Sequence, residues 1–242
     1  MMDLGEMTKE VTKLSIIIPV YNEIETLDRI VTKLLKLDLG KISKELIFVD
    51  DGSDDGTKER LIELEKKIAQ KGHKFFYQSV NQGKGACLKI GIKQATGDFI
   101  LFQDADLEYD PRDIPRLIAN LGNEASIVYG SRFSNYCQEL NKYFFYGNRF
   151  LTFLTNILYG VKLSDMETCY KLIPSKLAKS LNIKSSRFNV EPEITAKILK
   201  SGLKIKEVPI SYNPRTFADG KKIRPKDGLQ AILSLIKYRF ID

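Results

Sequence analysis

The chain has 242 residues, of which 43% are hydrophobic and 29% charged, and it carries a formal net charge of +7. This length and composition are those of a globular protein with a substantial core, and the lack of any apolar run of about 18 residues excludes a membrane-spanning helix. The polar first segment, MMDLGEMTKEVTK, is unlike a secretory signal, so we expect no such leader.

Cysteine and histidine usage excludes several kinds of site. Cys87, Cys137 and Cys169 are scattered, odd in number and form no CxxC pair, which favours reduced thiols in a cytosolic compartment over a zinc site or a disulfide framework. The sole histidine, His73, lies in the loop-like stretch KGHKF. Histidine-based metal sites and a Ser-His triad are therefore poorly supported.

In the first half of the chain, apolar strand-like segments alternate with amphipathic helix-like segments. The predicted strands are KLSIIIPV, KELIFVD, KFFYQSV, DFILFQD and SIVYGS. The predicted helices between them are EIETLDRIVTKLLKL, the segment from about Thr57 to Lys71, GACLKIGIKQA and PRDIPRLIANL. This alternation predicts an α/β fold with a mostly parallel central sheet and helices on both faces.

After Arg132 the pattern changes, and we expect a small C-terminal lobe rather than an independent domain. Within residues 147–161, apolar side chains share one helical stripe: Phe150, Leu151, Phe153, Leu154, Ile157, Leu158 and Val161. A helix from Val190 to Ser201, an edge strand KIKEVPISY and a final helix DGLQAILSLIKYRF follow. The stripe is most simply core, but if partly exposed it could lie at a bilayer surface.

A polar motif follows each of the first five predicted strands. The motifs are PVYNE, VDDGSDDGT, NQGKG, DADLE and GSR. Because the carboxyl ends of parallel strands form the crevice where ligands bind, we expect these motifs to build one site. No GxGxxG follows the first strand, and GKG at 83–85 lacks the P-loop spacing, so neither common nucleotide motif is present.

Carboxylates cluster in FQDADLEYDP, which places Asp104, Asp106, Glu108 and Asp110 at alternate positions. Carboxylates held together repel one another, so unless they are well solvated they usually hold a cation. The cluster would hold a hard divalent cation through its oxygens. The alternative is a solvated turn, since Asp-Pro at 110–111 is typical of turns.

Lysine and arginine crowd the last fifth of the chain, which permits nucleic acid, membrane phosphate or a sugar nucleotide as partner. No aromatic-basic recognition motif appears, and the carboxylates at the strand ends would repel nucleic acid. We therefore expect no nucleic-acid partner, and a non-catalytic nucleic-acid-binding protein is the remote alternative.

Together, SIIIPVYNE, VDDGSDDGT, NQGKGACLKIG, GDFILFQDADLEYDP and GSRF resemble family 2 glycosyltransferases of the GT-A fold. Over roughly residues 14–225, the chain most resembles the polyprenyl-phosphate sugar synthases, typified by dolichyl-phosphate mannose synthase. The resemblance implies a GDP- or UDP-sugar donor, Mg²⁺ or Mn²⁺, and inversion at the anomeric carbon. A single domain would span residues 1–242, with a nucleotide-sugar half at 14–132 and an acceptor-side half at 133–242.

The resemblance assigns donor binding to the strand ends. Pro19, Tyr21, Glu23, Val49 and Asp51 would line the nucleoside pocket. Tyr21 offers it a flat apolar face, while Glu23 and Asp51 would accept hydrogen bonds from the base or ribose. The alternative for Pro19 and Val49 is packing in the core.

Asp104, Ala105 and Asp106 match the family's Asp-x-Asp motif, and Asp106 is the strongest candidate for the metal ligand. Glu108 stands where close relatives often carry Gln, and it would either be a further ligand or face solvent. The metal would bridge donor phosphate oxygens and stabilise the charge on the departing diphosphate.

Residues 212–228, YNPRTFADGKKIRPKDG, resemble the family's flexible basic loop near the active site. Arg215 and Lys222 would approach the donor diphosphate, whereas Lys221 and Arg224 could equally face a membrane. A loop that closes over phosphates would exclude water and protect the donor from hydrolysis. The alternative is a solvated basic surface.

Arg132 and Arg149 match positions that bind acceptor phosphate in this family. Arginine suits this role because its planar fork binds phosphate bidentately and stays charged. A phosphate monoester, already ionised near neutral pH, attacks without a general base. We therefore expect transfer of mannose or glucose to polyprenyl or dolichyl phosphate, by an enzyme peripheral on the cytoplasmic face of the membrane. The alternative for each arginine is a surface ion pair.

DMETCYK, residues 165–171, departs from the Gly-Phe version common in the lipid-phosphate synthases. This departure leaves a second acceptor class open, a glycan hydroxyl, which would need a general base. Asp165, Glu191 or Glu193 would then act as that base, or would position sugar hydroxyls.

Overall fold

The structure, a computed structural model, describes residues 11–122, 126–133, 142–215 and 225–241. Four residues named above lie outside this part of the chain: Cys137, Lys221, Lys222 and Arg224. The other two cysteines, Cys87 and Cys169, are buried free thiols.

Seven strands form a single sheet. They are β1 (Lys13–Val20), β2 (Ser43–Asp50), β3 (Lys74–Tyr77), β4 (Phe99–Phe102), β5 (Ile127–Ser131), β6 (Lys171–Pro174) and β7 (Ile205–Pro209). Their order is β3-β2-β1-β4-β6-β5-β7, and only β6 runs antiparallel to its neighbours, β4 and β5. The mostly parallel sheet and the edge strand β7 are confirmed.

Helices lie in the connections between the strands, and one more follows the last strand. They are α1 (Leu27–Lys36), α2 (Thr57–Ile68), α3 (Lys84–Gln94), α4 (Ile114–Ala119), α5 (Lys142–Tyr159), α6 (Ser175–Ser180), α7 (Val190–Lys200) and α8 (Pro225–Phe240). Short 3-10 turns extend α2 and precede α4. In α1 the buried residues Leu27, Ile30, Val31 and Leu34 repeat with helical spacing, which packs one face of the helix on the core.

Both faces of the sheet are covered. Five consecutive residues of β1, 14–18, are buried, although alternate side chains of a strand point to opposite faces. Burial of a continuous run therefore requires packing on each side, as is usual for parallel sheets. The predicted layer arrangement is confirmed.

The sequence pattern does not predict β6. This strand is four residues long, KLIP, and it begins with a lysine and ends with a proline, so no apolar run marks it. Lys171 is fully buried in the sheet because its ammonium pairs with the carboxylate of Glu191 on α7. A buried charge is tolerated when it is paired. The formation of β6 therefore depends on a partner that lies on a distant helix.

The interpretation of the α5 stripe as core is wrong for three of its seven residues. Leu151 is buried, and Leu154 and Leu158 pack beside it against Leu235 of α8. Phe150, Phe153 and Ile157 are instead 54–63% exposed. Seven apolar positions make a face wider than contact with one helix can cover. In the part of the chain that the structure describes, no helix is both long and apolar enough to cross a membrane.

Candidate active site

A cavity of about 1480 Å³ lies at the carboxyl edge of the sheet. Small-ligand pockets usually measure roughly 300–1000 Å³, so this cavity has room for more than one ligand. Its lining includes most of the predicted site residues: Pro19, Tyr21, Glu23, Asp51, Asp104, Ala105, Asp106, Glu108, Arg132 and Arg215. The structure therefore brings the strand-end motifs together, as their spacing indicates.

Four of the predicted site residues that the structure describes do not line the cavity: Val49, Arg149, Asp165 and Glu193. Val49 is fully buried within β2, in the core, as its alternative interpretation has it. Arg149 is exposed on α5, where its Nη1 donates to the carbonyl oxygen of Ser164 at 3.3 Å. Asp165 is fully buried. Each position is set by tertiary packing, which a motif match does not reveal.

Asp51 holds the NQGKG loop. Its Oδ1 accepts hydrogen bonds from the backbone nitrogen of Gln82 at 2.8 Å and from Nε2 of Gln78 at 2.7 Å. Its Oδ2 accepts from the backbone nitrogen of Gly83 at 2.8 Å. Burial raises the pKa of Asp51, against the effect of these bonds. The Asp51 carboxylate thus holds this part of the cavity wall in place, whether or not it also accepts hydrogen bonds from a ligand.

The two glycines of GKG are required by close packing. A Cβ atom on Gly83, whose φ is +101°, would lie 2.5 Å from the carbonyl oxygen of Ser186. A Cβ atom on Gly85 would lie 2.5 Å from the carbonyl oxygen of Ser185. Because glycine has no Cβ atom, the start of α3 can pack closely against the residues that precede α7. This packing brings Lys84, which lies between the two glycines, close to α7.

Lys84 links two carboxylates on different elements. Its Nζ lies 2.8 Å from Oδ1 of Asp104 and 3.0 Å from Oε1 of Glu191. Burial opposes the charge of Lys84, but the two carboxylates outweigh it and raise the pKa of Lys84 well above its ordinary value. Lys84 is not among the site residues predicted from the sequence. A signal was present, because a lysine in the first turn of a helix is unfavourable beside the positive end of the helix dipole.

Arg215 joins three acidic residues of the cavity. Its Nη2 contacts Oδ2 of Asp106 at 2.9 Å, and its Nη1 contacts Oε2 of Glu23 at 3.2 Å. Its backbone nitrogen donates to Oε1 of Glu108 at 2.9 Å, while the Tyr212 hydroxyl donates to Oε2 at 2.9 Å. Glu108 therefore anchors the start of the predicted basic loop against the acidic wall.

Asp106 is the group best suited to hold a divalent cation. Burial and the neighbouring charges of Asp104 and Glu108 raise the pKa of Asp106 to about 7, against the attraction of Arg215. A cation would relieve this repulsion, and Mg²⁺ usually takes one or two carboxylates plus substrate phosphate oxygens. Within the described residues, no three His, Cys, Asp or Glu side chains converge as a metal site, so the fit depends on phosphate ligands.

Arg132 is held at the cavity by Asp165. The Arg132 Nε donates to Oδ2 of Asp165 at 2.7 Å, and Nη2 donates to Oδ1 at 2.8 Å. The guanidinium also lies 5.1 Å from the ring centroid of Tyr212. The backbone nitrogen of Asp165 donates to Oε1 of Glu207 on β7 at 2.9 Å. This hydrogen bond helps to hold Asp165 in position. A fully buried carboxylate in this bidentate pair positions the arginine.

The two glutamates of α7 have different surroundings. Glu193 is fully buried and accepts hydrogen bonds from the backbone nitrogens of Lys184 and Ser185 at 2.8 and 2.7 Å. It does not line the cavity, so the expectation that it faces the sugar does not agree with its placement. Glu191 does line the cavity, but it pairs with Lys84 and Lys171.

In open sheets of this kind, ligands bind in the crevice at the carboxyl ends of the strands, which is where this cavity lies. The family model for glycosyl transferase family 2 matches residues 15–181. The chain therefore belongs to glycosyl transferase family 2, and the protein is a glycosyltransferase, as its strand-end motifs indicate.

Two curated relatives are similar to this chain. Dolichyl-phosphate beta-glucosyltransferase ALG5A of Trichomonas vaginalis is 29% identical over 242 residues, which cover 93% of this chain and 72% of that protein. Dolichol-phosphate mannosyltransferase of Pyrococcus furiosus is 36% identical over 121 residues, which cover 50% of this chain and 33% of that protein. The resemblance to polyprenyl-phosphate sugar synthases is confirmed.

Among solved structures, glucosyl-3-phosphoglycerate synthase from Mycobacterium tuberculosis, in complex with Mg²⁺ and UDP, superposes with a TM-score of 0.71. The match has 20% sequence identity and covers 99% of this chain and 84% of that chain. Another structure of that enzyme, with Mn²⁺, UDP and phosphoglyceric acid, has a TM-score of 0.69. At this identity the likeness concerns the fold, and it confirms the GT-A fold.

Proposed function

We propose that this glycosyltransferase transfers a hexose, mannose or glucose, from a GDP- or UDP-sugar to a polyprenyl or dolichyl phosphate. One observation carries the proposal: Arg132, positioned by Asp165, lines the same cavity as the acidic Asp104–Asp106 motif. A basic group for an acceptor phosphate thus faces the same space as an acidic wall suited to a cation. The names of the two curated relatives support the lipid-phosphate acceptor.

The donor side of the cavity would hold a nucleoside diphosphate. The solved structures that contain UDP with Mg²⁺ or Mn²⁺ support this part of the proposal. Such a cation, held by Asp106 with phosphate oxygens, would neutralise charge that develops on the leaving diphosphate. Arg215 contacts Asp106, and its guanidinium would bind the same diphosphate. Tyr21 and Pro19 would line the nucleoside pocket.

The acceptor side would hold a phosphate monoester. Arg132 binds its oxygens and orients one of them towards the anomeric carbon, on the face opposite the diphosphate. Because this oxygen is already ionised, the attack needs no base, and direct displacement inverts the anomeric carbon. The cavity supplies alignment, which accounts for much of the acceleration in reactions of this kind.

A glycan hydroxyl acceptor is the weaker candidate, because the carboxylates that would act as its base are engaged. Asp165 binds Arg132 through both oxygens, and Glu193 is buried in backbone hydrogen bonds. Glu191 is neutralised by two lysines. None of the three is placed to accept a proton from a hydroxyl without breaking an ion pair or a buried hydrogen bond.

The test is a transfer assay with Mg²⁺ or Mn²⁺, in which GDP-mannose and UDP-glucose are each offered with a short polyprenyl phosphate. We expect a product that partitions into chloroform and releases its sugar in mild acid. Transfer only to glycan hydroxyls would contradict the proposed acceptor. Failure to bind either sugar nucleotide would contradict the proposed donor.

We propose that exposed apolar side chains on two helices contact a membrane surface. Those on α5 are Tyr143, Tyr146, Phe150, Phe153 and Ile157, and those on α8 are Leu229, Leu233, Ile236 and Phe240. Each set repeats with helical spacing outside the contact between the two helices. Exposed Arg149, Lys237 and Arg239 lie on the same helices. Apolar stripes beside cations fit an anionic bilayer surface, where a lipid phosphate would be met.

We expect the protein to float with vesicles that contain anionic phospholipid, and the variant Phe150→Ser/Phe153→Ser/Leu233→Ser/Phe240→Ser to stay mostly unbound. Serine removes apolar area from the proposed membrane surface without opening the core, because all four side chains are exposed. The control is Ile62→Ser/Val80→Ser. Both residues are exposed apolar groups, and both lie in the nucleotide-sugar half, away from α5 and α8 in the sequence. Equal flotation of all three proteins would contradict membrane contact through α5 and α8.

A further inference from the structure

Glu167 is a carboxylate of the cavity that neither the sequence motifs nor the proposed mechanism uses. It lines the cavity, and its Oε1 is closed off from solvent without a hydrogen-bond partner among the residues that the structure describes. An unsatisfied buried acceptor costs stability. A carboxylate in this position therefore indicates a ligand that donates a hydrogen bond to it.

The position of Glu167 points to the class of ligand. The residue lies in the loop before β6, two positions after Asp165, which holds the acceptor-side Arg132. Four positions later, Lys171 pairs with Glu191, which shares Lys84 with the donor-side Asp104. Residues 165–171 thus connect the acceptor side of the cavity, at Arg132, with the donor side, at Asp104. Glu167 lies within this segment.

In the proposed reaction, the hexose must lie between the donor diphosphate and the acceptor phosphate. We propose that Glu167 binds hydroxyl groups of the hexose being transferred. The proposal rests on the proposed function and deepens it. A carboxyl oxygen accepts a hydrogen bond from a sugar hydroxyl, and a small rotation of the Glu167 carboxyl towards the cavity would bring Oε1 to such a donor. Hydrogen bonds that involve a charged group are the stronger ones, so this contact would discriminate among hexoses that differ in one hydroxyl.

The charges around Glu167 agree with this role. Burial raises the pKa of Glu167 to about 7, while Lys171 and Arg132 act in the opposite direction and Glu191 and Asp165 add to the rise. Among the residues that the structure describes, no cation forms an ion pair with Glu167 in the way that Lys84 does with Asp104. A hydroxyl both donates and accepts, so it can bind this carboxyl in either protonation state.

The test compares binding of a sugar nucleotide with binding of the nucleotide alone. Calorimetry on the wild type and on Glu167→Ala would use UDP-glucose against UDP and GDP-mannose against GDP, all with Mg²⁺. For the donor that the wild type binds, we expect the variant to lose at least about tenfold in affinity for the sugar nucleotide. Affinity for the free diphosphate should change less than about twofold, since it lacks the hexose.

A control variant separates binding from a merely structural role. Glu193→Ala removes a buried carboxylate whose oxygens are satisfied, and it should lower the melting temperature. Glu167→Ala removes an unsatisfied acceptor and should leave the melting temperature unchanged or higher.

Two results would overturn the proposal while the proposed function stands. One is an equal loss of affinity for the sugar nucleotide and for its free diphosphate, and the other is unchanged affinity for the sugar nucleotide. If the wild type binds neither sugar nucleotide, the proposed function itself fails, and this inference fails with it.

Discussion

The variant Asp106→Asn is expected to lose at least about 100-fold in the rate of sugar transfer, while the protein stays folded. Asp106 combines two features: it contacts Arg215, and it bears the repulsion of Asp104 and Glu108. Asparagine keeps the shape but removes the negative charge that a divalent cation needs. The loss should appear in turnover at saturating donor, and added Mn²⁺ should not restore it.

Asp110→Asn is the matched control for this variant. Asp110 lies in the same acidic stretch, but its carboxylate contacts Arg112 at 2.7 Å and Lys33 at 3.3 Å. It does not line the cavity, so its charge serves the turn before α4. We expect transfer by Asp110→Asn within about threefold of the wild type, because surface ion pairs contribute little. Equal losses in both variants, or an active Asp106→Asn, would contradict the assignment of the metal to Asp106.

The first half of the fold could be predicted because its pattern is local. β1 and β2 are continuous apolar runs, and α1 and α2 repeat buried positions with helical spacing, so each segment shows its own structure. The polar motifs at the strand ends then follow from sheet topology. No long-range contact had to be known to bring Asp51, Asp106 and Arg132 together.

The second half of the fold could not be predicted in the same way, because its structure depends on contacts between residues that are far apart in the sequence. β6 carries a buried lysine whose charge is paired with Glu191 on α7, and the sequence does not show that Asp165 pairs with Arg132. The apolar stripe of α5 is divided by the narrow contact with α8. The same holds for Glu167, since the sequence does not show that its Oε1 lacks a hydrogen-bond partner within the described part of the chain.

The role of Arg132 leads to a second large effect. The variant Arg132→Lys should lose at least about 100-fold in kcat/KM for polyprenyl phosphate, while the Kd for the sugar nucleotide stays within about threefold. A lysine keeps the charge but cannot bind Asp165 through two parallel hydrogen bonds and still present donors to a phosphate. Alanine is less informative, because an unpaired buried Asp165 would cost about 3–5 kcal/mol in the free energy of unfolding.

Arg149→Lys completes this experiment, because Arg149 matches the family motif equally well but is exposed outside the cavity. If burial and positioning by Asp165 determine phosphate binding, Arg149→Lys should change kcat/KM by less than about fivefold. The reverse result, a large loss at Arg149 and a small loss at Arg132, would move the acceptor phosphate to the outer side of α5. A loss of donor affinity in Arg132→Lys would place Arg132 on the donor side instead. Acceptor titrations at saturating donor, with donor binding measured separately, distinguish the three outcomes.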